Sequence, residues 1–331
     1  MKKARLFILI LTLVLLAVFV LSGCKSKQAS KVRLWEVTRS IFYAPQYVAI
    51  YEGYFEDEGI DIELYNAGGA DKVMTGVLSG QADIGFSGAE AAIYVYNEGH
   101  EDYPEVFAQL TQKDGSFLVG REPEPDFKWE NLEGKTVIAG RKGGMPAMAF
   151  EYILRNHGLV PNEDLEFLLN IQFDLIAGAF TGGTGDYVSL FEPVASNVEL
   201  EGQGYIVASL GVAAGNIPYT TYYAKQSYMK ENEDLITGFT RAIYKGQQYV
   251  ANHSAEEIAK AIKPAFPETE LDRIISVVQR YKEQDTWPLD PRMSQESYER
   301  LQDIMEMAGE LDQRAPYDKV INNDYAVKVI D

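Results

Sequence analysis

Short apolar runs alternate with amphipathic stretches along the first two thirds of the chain. Residues 32–37, 60–65 and 82–86 are apolar-rich runs bounded by glycine or polar residues, a pattern that predicts strands. Residues 45–52 and 72–79 carry apolar side chains at helical spacing and predict helices between those strands. Because strands and helices alternate, the pattern indicates an α/β fold with mainly parallel sheets.

The pattern changes at residues 121–128, where proline and acidic residues follow one another and no regular element is expected. A new strand is predicted at residues 136–139, and a helical stripe after it ends near Gly158. The apolar stretch at residues 220–224 is expected to carry the chain back. We therefore predict a first lobe at residues 32–120, a second lobe at residues 121–222 and a return to the first lobe at residues 223–331.

Three amphipathic stripes in the C-terminal third predict helices that pack on a core. One lobe interrupted by another has the layout of a hinged clamshell. The predicted fold class is thus α/β and two-lobed, with a mainly parallel sheet flanked by helices in each lobe. Strand ends and helix starts of both lobes are expected to face a single cleft.

The N-terminus has the pattern of an export signal. Lys2, Lys3 and Arg5 precede an apolar run, and the sequence Leu-Ser-Gly-Cys that ends at Cys24 resembles a bacterial lipobox. This resemblance implies a signal peptide at residues 1–23, a lipidated Cys24 with a tether at residues 24–31, and anchoring on the outer face of the cell membrane. An uncleaved membrane anchor is the alternative.

Composition narrows the class of function. The formal net charge of −19 argues against nucleic acid as a partner. Cys24 is the single cysteine, so no thiol remains for catalysis once it is acylated. The three histidines are scattered without metal-ligand spacing, and no metal site is expected.

Four ordered segments carry a resemblance to a known family. They are residues 36–63, VLSGQADIGFS (77–87), NLEGKTVIAGRKGG (131–144) and DYVSLFEP (186–193). They resemble the type II periplasmic solute-binding proteins of ABC importers, the family that includes binders of alkanesulfonates, nitrate, taurine and thiamine pyrimidine precursors. The resemblance implies a monomeric binding protein without a cofactor or enzymatic activity, whose partners are a small-molecule ligand and the permease and ATPase subunits.

The ligand is left open by the sequence. Carboxylates and tyrosines favour a nitrogen-rich ring such as a thiamine pyrimidine precursor, whereas a sulfonate or nitrate would need Arg39, Arg141 or Lys142 in the cleft, paired with the helix starts. A riboflavin-like ring is a third option. A secreted enzyme and a ligand-sensing module are the alternative classes, although the family's fungal pyrimidine-forming enzyme depends on a cysteine-rich motif that this chain lacks.

Candidate binding residues come from predicted strand ends, helix starts and nearby charged or aromatic side chains. The segment from Ser87 to Glu90 fits both a capping box and a ligand-binding helix start. Gly143 and Gly144 would let backbone N–H groups approach a ligand closely. The candidates are Glu36, Arg39, Ser40, Tyr43, Ser87, Gly88, Ala89, Glu90, Arg141, Gly143, Gly144, Met145, Asp174, Tyr187 and Glu192.

Overall fold

The computed structural model describes residues 29–330. The predicted signal peptide, the lipidation site Cys24 and most of the tether lie outside the described residues. Within the described part of the chain, no helix has both the length and the apolar character needed to cross a membrane.

Ten strands form within residues 29–330. They are β1 (Ser30–Glu36), β2 (Ile60–Asn66), β3 (Ile84–Ser87), β4 (Pro104–Thr111), β5 (Ser116–Gly120), β6 (Thr136–Ile138), β7 (Glu166–Leu168), β8 (Tyr187–Phe191), β9 (Tyr205–Ser209) and β10 (Thr220–Lys225).

Fifteen α-helices lie in the same span. They are α1 (Ala44–Tyr51), α2 (Tyr54–Asp57), α3 (Ala70–Leu78), α4 (Glu90–Asn97), α5 (Met145–Asn156), α6 (Ile176–Thr181), α7 (Val194–Leu200), α8 (Leu210–Ala214), α9 (Gln226–Glu231), α10 (Glu233–Asn252), α11 (Ala255–Ile262), α12 (Leu271–Glu283), α13 (Gln295–Met307), α14 (Tyr317–Val320) and α15 (Asp324–Ile330).

The strands form two five-stranded sheets with matching topology, β2-β1-β3-β10-β4 and β7-β6-β8-β5-β9. In the first sheet β1 is parallel to β2 and β3, while β10 is antiparallel to both β3 and β4. In the second, β6 is parallel to β7 and β8, while β5 is antiparallel to β8 and β9. Each sheet therefore has four strands in one direction and one reversed strand. The predicted two-lobed α/β fold is confirmed.

The strand pairing corrects both predicted lobe boundaries. Residues 116–120 form β5, which pairs with β8 and β9 of the second sheet, so the chain leaves the first lobe before residue 121. Residues 121–128 are a loop within the second lobe, because the Tyr187 hydroxyl donates to Glu124 there. The return is also earlier than residue 223, since β10 begins at Thr220 and pairs in the first sheet.

The two crossing segments lie side by side, and their backbones are hydrogen-bonded. The N–H of Ile217 donates to the carbonyl of Gln112 at 2.8 Å, and the N–H of Tyr219 donates to the carbonyl of Thr111 at 3.1 Å. This pairing joins the lobes by two short connections, which is the geometry of a hinge.

The C-terminal helices touch both lobes. In α12, Arg280 pairs with Glu192 of the second lobe, while Tyr281 donates to the Gly115 carbonyl in the first crossing. From α13, Arg300 donates to the carbonyl of Ala214. The predicted amphipathic stripes pack as core, and α12 and α13 also bond to residues of the second lobe.

Candidate ligand-binding cleft

A cleft lies between the two sheets and opens to solvent; it measures about 610 Å³ when its open side is included. Both lobes supply its walls. Its lining comprises Val37, Tyr43, Gly68, Gly69, Ala70, Asp71, Gly88, Glu90, Arg141, Gly144, Met145, Pro146, Gln172, Phe173, Phe191, Tyr219 and Thr220.

Three helix starts meet in this cleft. Helix α3 follows β2, α4 follows β3 and α5 is the first helix after β6, so each start lies near the carboxyl end of a parallel strand. The first turn of a helix leaves backbone N–H groups without intrahelical partners. The starts of α3 and α4 belong to the first lobe and that of α5 to the second, so polar groups from both lobes face the same space.

Glu90, the first residue of α4, combines deep burial with an unused acceptor. It is 2% exposed, and its Oε1 accepts a hydrogen bond from the Met145 N–H across the cleft at 3.3 Å. Its Oε2 is buried and has no hydrogen-bond partner among residues 29–330. Burial raises the pKa of Glu90 to about 7. A buried acceptor without a donor costs free energy, so Glu90 is suited to accept a hydrogen bond from a ligand.

Aromatic rings form the opposite wall and the floor. Tyr43, Phe191 and Tyr219 line the cleft, and each has its ring centroid within 5.7 Å of the buried Phe42 ring below them. Phe173 packs on Phe191 at 5.8 Å. Such a wall offers apolar faces and edges on which a flat ring can stack.

The charged pair at the cleft mouth comes from opposite lobes. Nε of Arg141 lies 3.7 Å from Oδ1 of Asp71, and both side chains are more than a third exposed. An exposed pair of this kind contributes at most about 1 kcal/mol, so it can separate at little cost.

Six of the predicted residues line the cleft: Tyr43, Gly88, Glu90, Arg141, Gly144 and Met145. Gly143 lies beside them, and its carbonyl accepts a hydrogen bond from the Tyr94 hydroxyl at 3.1 Å. Its φ of +70° is a left-handed conformation that favours glycine.

The structure does not bring Glu36 or Arg39 into the cleft lining. The two oxygens of Glu36 accept from Arg39 Nε at 2.9 Å, from Gln46 Nε2 at 2.8 Å and from the Tyr47 hydroxyl at 2.9 Å. Burial raises the pKa of Glu36 to about 7. Because its acceptors are already used, this buried cluster fixes β1 against α1.

Ser40 and Glu192 join the lobes instead of lining the cleft. The Ser40 hydroxyl donates to the Glu192 carbonyl at 2.6 Å. The Glu192 carboxylate accepts from Arg280 and from both the N–H and the hydroxyl of Ser196. Burial also raises the pKa of Glu192. These contacts make Glu192 a brace at the hinge.

The remaining predicted residues have other surroundings. The Ser87 hydroxyl bonds with the Tyr223 hydroxyl at 2.7 Å, and α4 has Ala89 at its N-cap without a side-chain hydrogen bond, so the predicted capping box is wrong. Neither Ser87 nor Ala89 lines the cleft. Tyr187 bonds with Glu124 within the second lobe. Asp174 is exposed, opposite Gly68 across the cleft mouth.

Sequence reasoning missed the start of α3. Gly68, Gly69 and Ala70 line the cleft, and Asp71 stands in the first turn of the helix. The sequence did carry a signal for this helix start. Two glycines and an acidic residue come soon after a strand, and small or acidic residues after a strand were the reason for selecting the other two helix starts. Phe173 and Tyr219 gave no such signal, since only the tertiary fold brings them to the cleft.

The sequence profile of the family described as NMT1/THI5 like matches residues 41–257, more than half of the chain. The chain belongs to the NMT1/THI5-like family. One relative that aligns over nearly the whole chain is YtlA of Bacillus subtilis, whose name describes it as a binding protein. It is 49% identical over 312 residues, which are 94% of this chain and 93% of YtlA.

More distant proteins share parts of the sequence or only the fold. The 4-amino-5-hydroxymethyl-2-methylpyrimidine phosphate synthase of Candida albicans is 22% identical over 248 residues, 68% of each chain. A solved ligand-binding component of an ABC-type import system from Staphylococcus aureus has a TM-score of 0.74 at 11% identity, covering 91% of this chain and 99% of its own. The resemblance drawn from the four sequence segments is confirmed for family and fold.

Proposed function

We propose that this NMT1/THI5-like protein is the extracytoplasmic solute-binding component of an ABC importer, anchored through a lipidated Cys24. It captures a small heteroaromatic molecule in the cleft and passes it to permease and ATPase subunits. The observation that carries this proposal is a cleft between two lobes in which one oxygen of the buried Glu90 has no hydrogen-bond donor among residues 29–330. The names of the Bacillus and Staphylococcus proteins support the class of function.

The cleft chemistry favours a ring that carries N–H groups. The free oxygen of Glu90 accepts a hydrogen bond from an amino group or a ring N–H, while Tyr43 and Phe191 pack on the ring. A sulfonate or nitrate would place a negative charge beside the carboxylates of Glu90 and Asp71, with Arg141 as the one cationic side chain among the cleft-lining residues. An aminopyrimidine such as a thiamine precursor therefore fits better than an anion, and a flavin-like ring fits the same chemistry.

Ligand binding is expected to shift the hinge equilibrium. The ligand contacts Glu90 from the first lobe and Met145 from the second only when the cleft is closed. A shift from mostly open to mostly closed needs roughly 5 kcal/mol of differential affinity, which several buried hydrogen bonds can provide.

Calorimetric titration with aminopyrimidines, flavins and alkanesulfonates tests the ligand class. At pH 8, above the Glu90 pKa of about 7, we expect binding of a ring with N–H donors, and Glu90→Gln weakens it about tenfold to a hundredfold, since bonds to charged groups contribute about 1.5–3 kcal/mol. Glu101→Gln, at an exposed position, is the matched control. Binding of sulfonates alone would overturn the ligand assignment, and turnover of a bound compound would favour an enzyme.

Lipid anchoring has its own test. In cells that process lipoproteins, the natural chain is expected to incorporate labelled fatty acid and to sediment with membranes. Cys24→Ser is expected to lose the label, because the side chain that would carry the acyl chains is gone. Sedimentation of both proteins without label would indicate an uncleaved anchor.

A further inference from the structure

A second groove continues from the cleft along the first lobe. It runs between α3 and α4, holds about 1080 Å³ of space including its open side, and shares Ala70, Asp71, Glu90 and Arg141 with the cleft. The groove and the cleft therefore meet at Glu90, whose Oε2 has no partner among the described residues.

One face of each helix supplies the groove walls. On α3, Ala70, Met74 and Leu78 are spaced four residues apart. On α4, Ala91 and Val95 have the same spacing. Side chains four residues apart lie on one helix face, so these residues form a continuous apolar lining. From Ala70 to Leu78 the groove is about 12 Å long at 1.5 Å per residue.

The loop at residues 141–143 of the second lobe covers the groove. Tyr94 of α4 donates to the Gly143 carbonyl at 3.1 Å, and a Cβ on Gly143 would lie 3.2 Å from Oε2 of Glu310. Nζ of Lys142 lies 3.6 Å from Oε1 of Glu310 at the outer end. Because closure brings this loop over the groove, a molecule held there contacts both lobes.

The groove has more acids than bases. Four carboxylates line it, from Asp71, Glu90, Glu98 and Glu310, against the two bases Arg141 and Lys142. Each base lies beside one acid, Arg141 beside Asp71 and Lys142 beside Glu310, and Nε2 of His100 lies 3.4 Å from Oε2 of Glu98. The remaining acceptors suit a group that donates hydrogen bonds and disfavour an anionic group.

We propose that the ligand carries a hydrogen-bond-donating chain, hydroxylated or amine-bearing, that extends from the ring in the cleft past Glu90 into the α3–α4 groove. This inference rests on the proposed function and names the ligand class more narrowly: a heteroaromatic ring with an elongated neutral or cationic substituent. The long contact between Arg141 and Asp71 at the junction separates to admit the chain.

Two pairs of probes, each with a ring system in common, test the groove by calorimetric titration: lumichrome with riboflavin, and 4-amino-5-hydroxymethyl-2-methylpyrimidine with thiamine. In the pair whose ring binds, we expect the chain-bearing member to bind at least about tenfold more tightly, equivalent to about 1.4 kcal/mol. Flavin mononucleotide, which adds a phosphate to the riboflavin chain, is expected to bind more weakly than riboflavin.

Ala91→Leu fills the groove without touching the residues that line only the cleft. It is expected to weaken the chain-bearing probe about tenfold and to leave its partner within about twofold. Thr75→Leu, exposed on α3 outside the groove, is the matched control. Should Ala91→Leu fail to fold, Leu78→Trp blocks the far end of the same groove.

The outcomes separate the two proposals. Equal affinities within a binding pair, or an Ala91→Leu effect on both members alike, would overturn the groove assignment while leaving the cleft proposal standing. Tighter binding of flavin mononucleotide than of riboflavin would overturn the donor chemistry. If none of these rings binds, the proposed ligand class and the groove assignment are both wrong.

Discussion

At the scale of single residues, three buried glutamates with similar surroundings have different roles. Glu36 and Glu192 have both carboxylate oxygens bonded to protein donors. Glu90 has one oxygen bonded to the Met145 N–H and one without a described partner. Burial raises the pKa of each of them, but only Glu90 leaves an acceptor for a ligand.

Glu90→Gln is expected to change how stability depends on pH. The pKa of Glu90 rises from 4.5 to about 7 on folding, so its contribution is fully present below pH 4.5 and is lost as pH rises through 7. Glutamine does not titrate. The difference in unfolding free energy, variant minus natural protein, is expected to grow by up to about 3 kcal/mol from pH 5 to pH 8. Urea unfolding at several pH values measures it.

The surface variant Glu101→Gln controls for the general effect of removing a carboxylate. It is expected to show no change of this kind across the same pH range. If the difference in unfolding free energy for Glu90→Gln does not change with pH, the carboxyl has an ordinary pKa in the folded protein. The description of Glu90 as a desolvated carboxyl would then be wrong.

At the scale of elements, close backbone contacts fix the hinge. Helix α8 packs against the first crossing so tightly that a Cβ on Gly211 would lie 2.2 Å from the carbonyl oxygen of Asp114. The side chain of Asp114 accepts from the N–H and the hydroxyl of Ser116 at 2.7 and 2.6 Å, which turns the chain into β5. These contacts with Gly211 and Ser116 leave the backbone at Asp114 little conformational freedom.

Gly211→Ala is expected to destabilise the protein by about 1–3 kcal/mol, because the added methyl group meets backbone that cannot rotate away. Gly178→Ala in α6 is the matched control, since no atom lies within 4 Å of its added Cβ. That variant is expected to be neutral or more stable by up to about 1 kcal/mol, owing to the helix propensity of alanine. Equal effects of the two changes in thermal unfolding would contradict the close contact.

At the scale of the whole molecule, the described structure has the lobes in contact. Glu90 reaches Met145, Tyr94 reaches Gly143, and Lys142 lies beside Glu310. The Tyr94 bond forms only when the lobes approach, so it favours the closed form by about 1 kcal/mol, the usual contribution of one hydrogen bond. If the lobes move as proposed, the closed population of the free protein depends on a few weak contacts.

Tyr94→Phe is expected to lower the ratio of closed to open molecules about fivefold, in line with one lost hydrogen bond. Pulsed electron paramagnetic resonance between spin labels at Thr75→Cys and Thr181→Cys, in a Cys24→Ser background, measures the distance between the lobes. Tyr96→Phe on the same helix is the control, as its hydroxyl makes no hydrogen bond in the described structure. An unchanged distance distribution for Tyr94→Phe would contradict this role.

The sequence by itself determined the α/β class, the two lobes, the family and the glycine-bearing helix start at residues 143–145, because periodicity and turn chemistry are local. The tertiary structure decided the crossings and the site membership. Residues 116–120 look like any buried strand, and only pairing with β8 assigns them to the second lobe. Likewise Glu36 and Glu90 both stand at or just after strand ends. Only packing supplies Gln46 and Tyr47 to Glu36 and leaves one oxygen of Glu90 without a partner in the part of the chain that the structure describes.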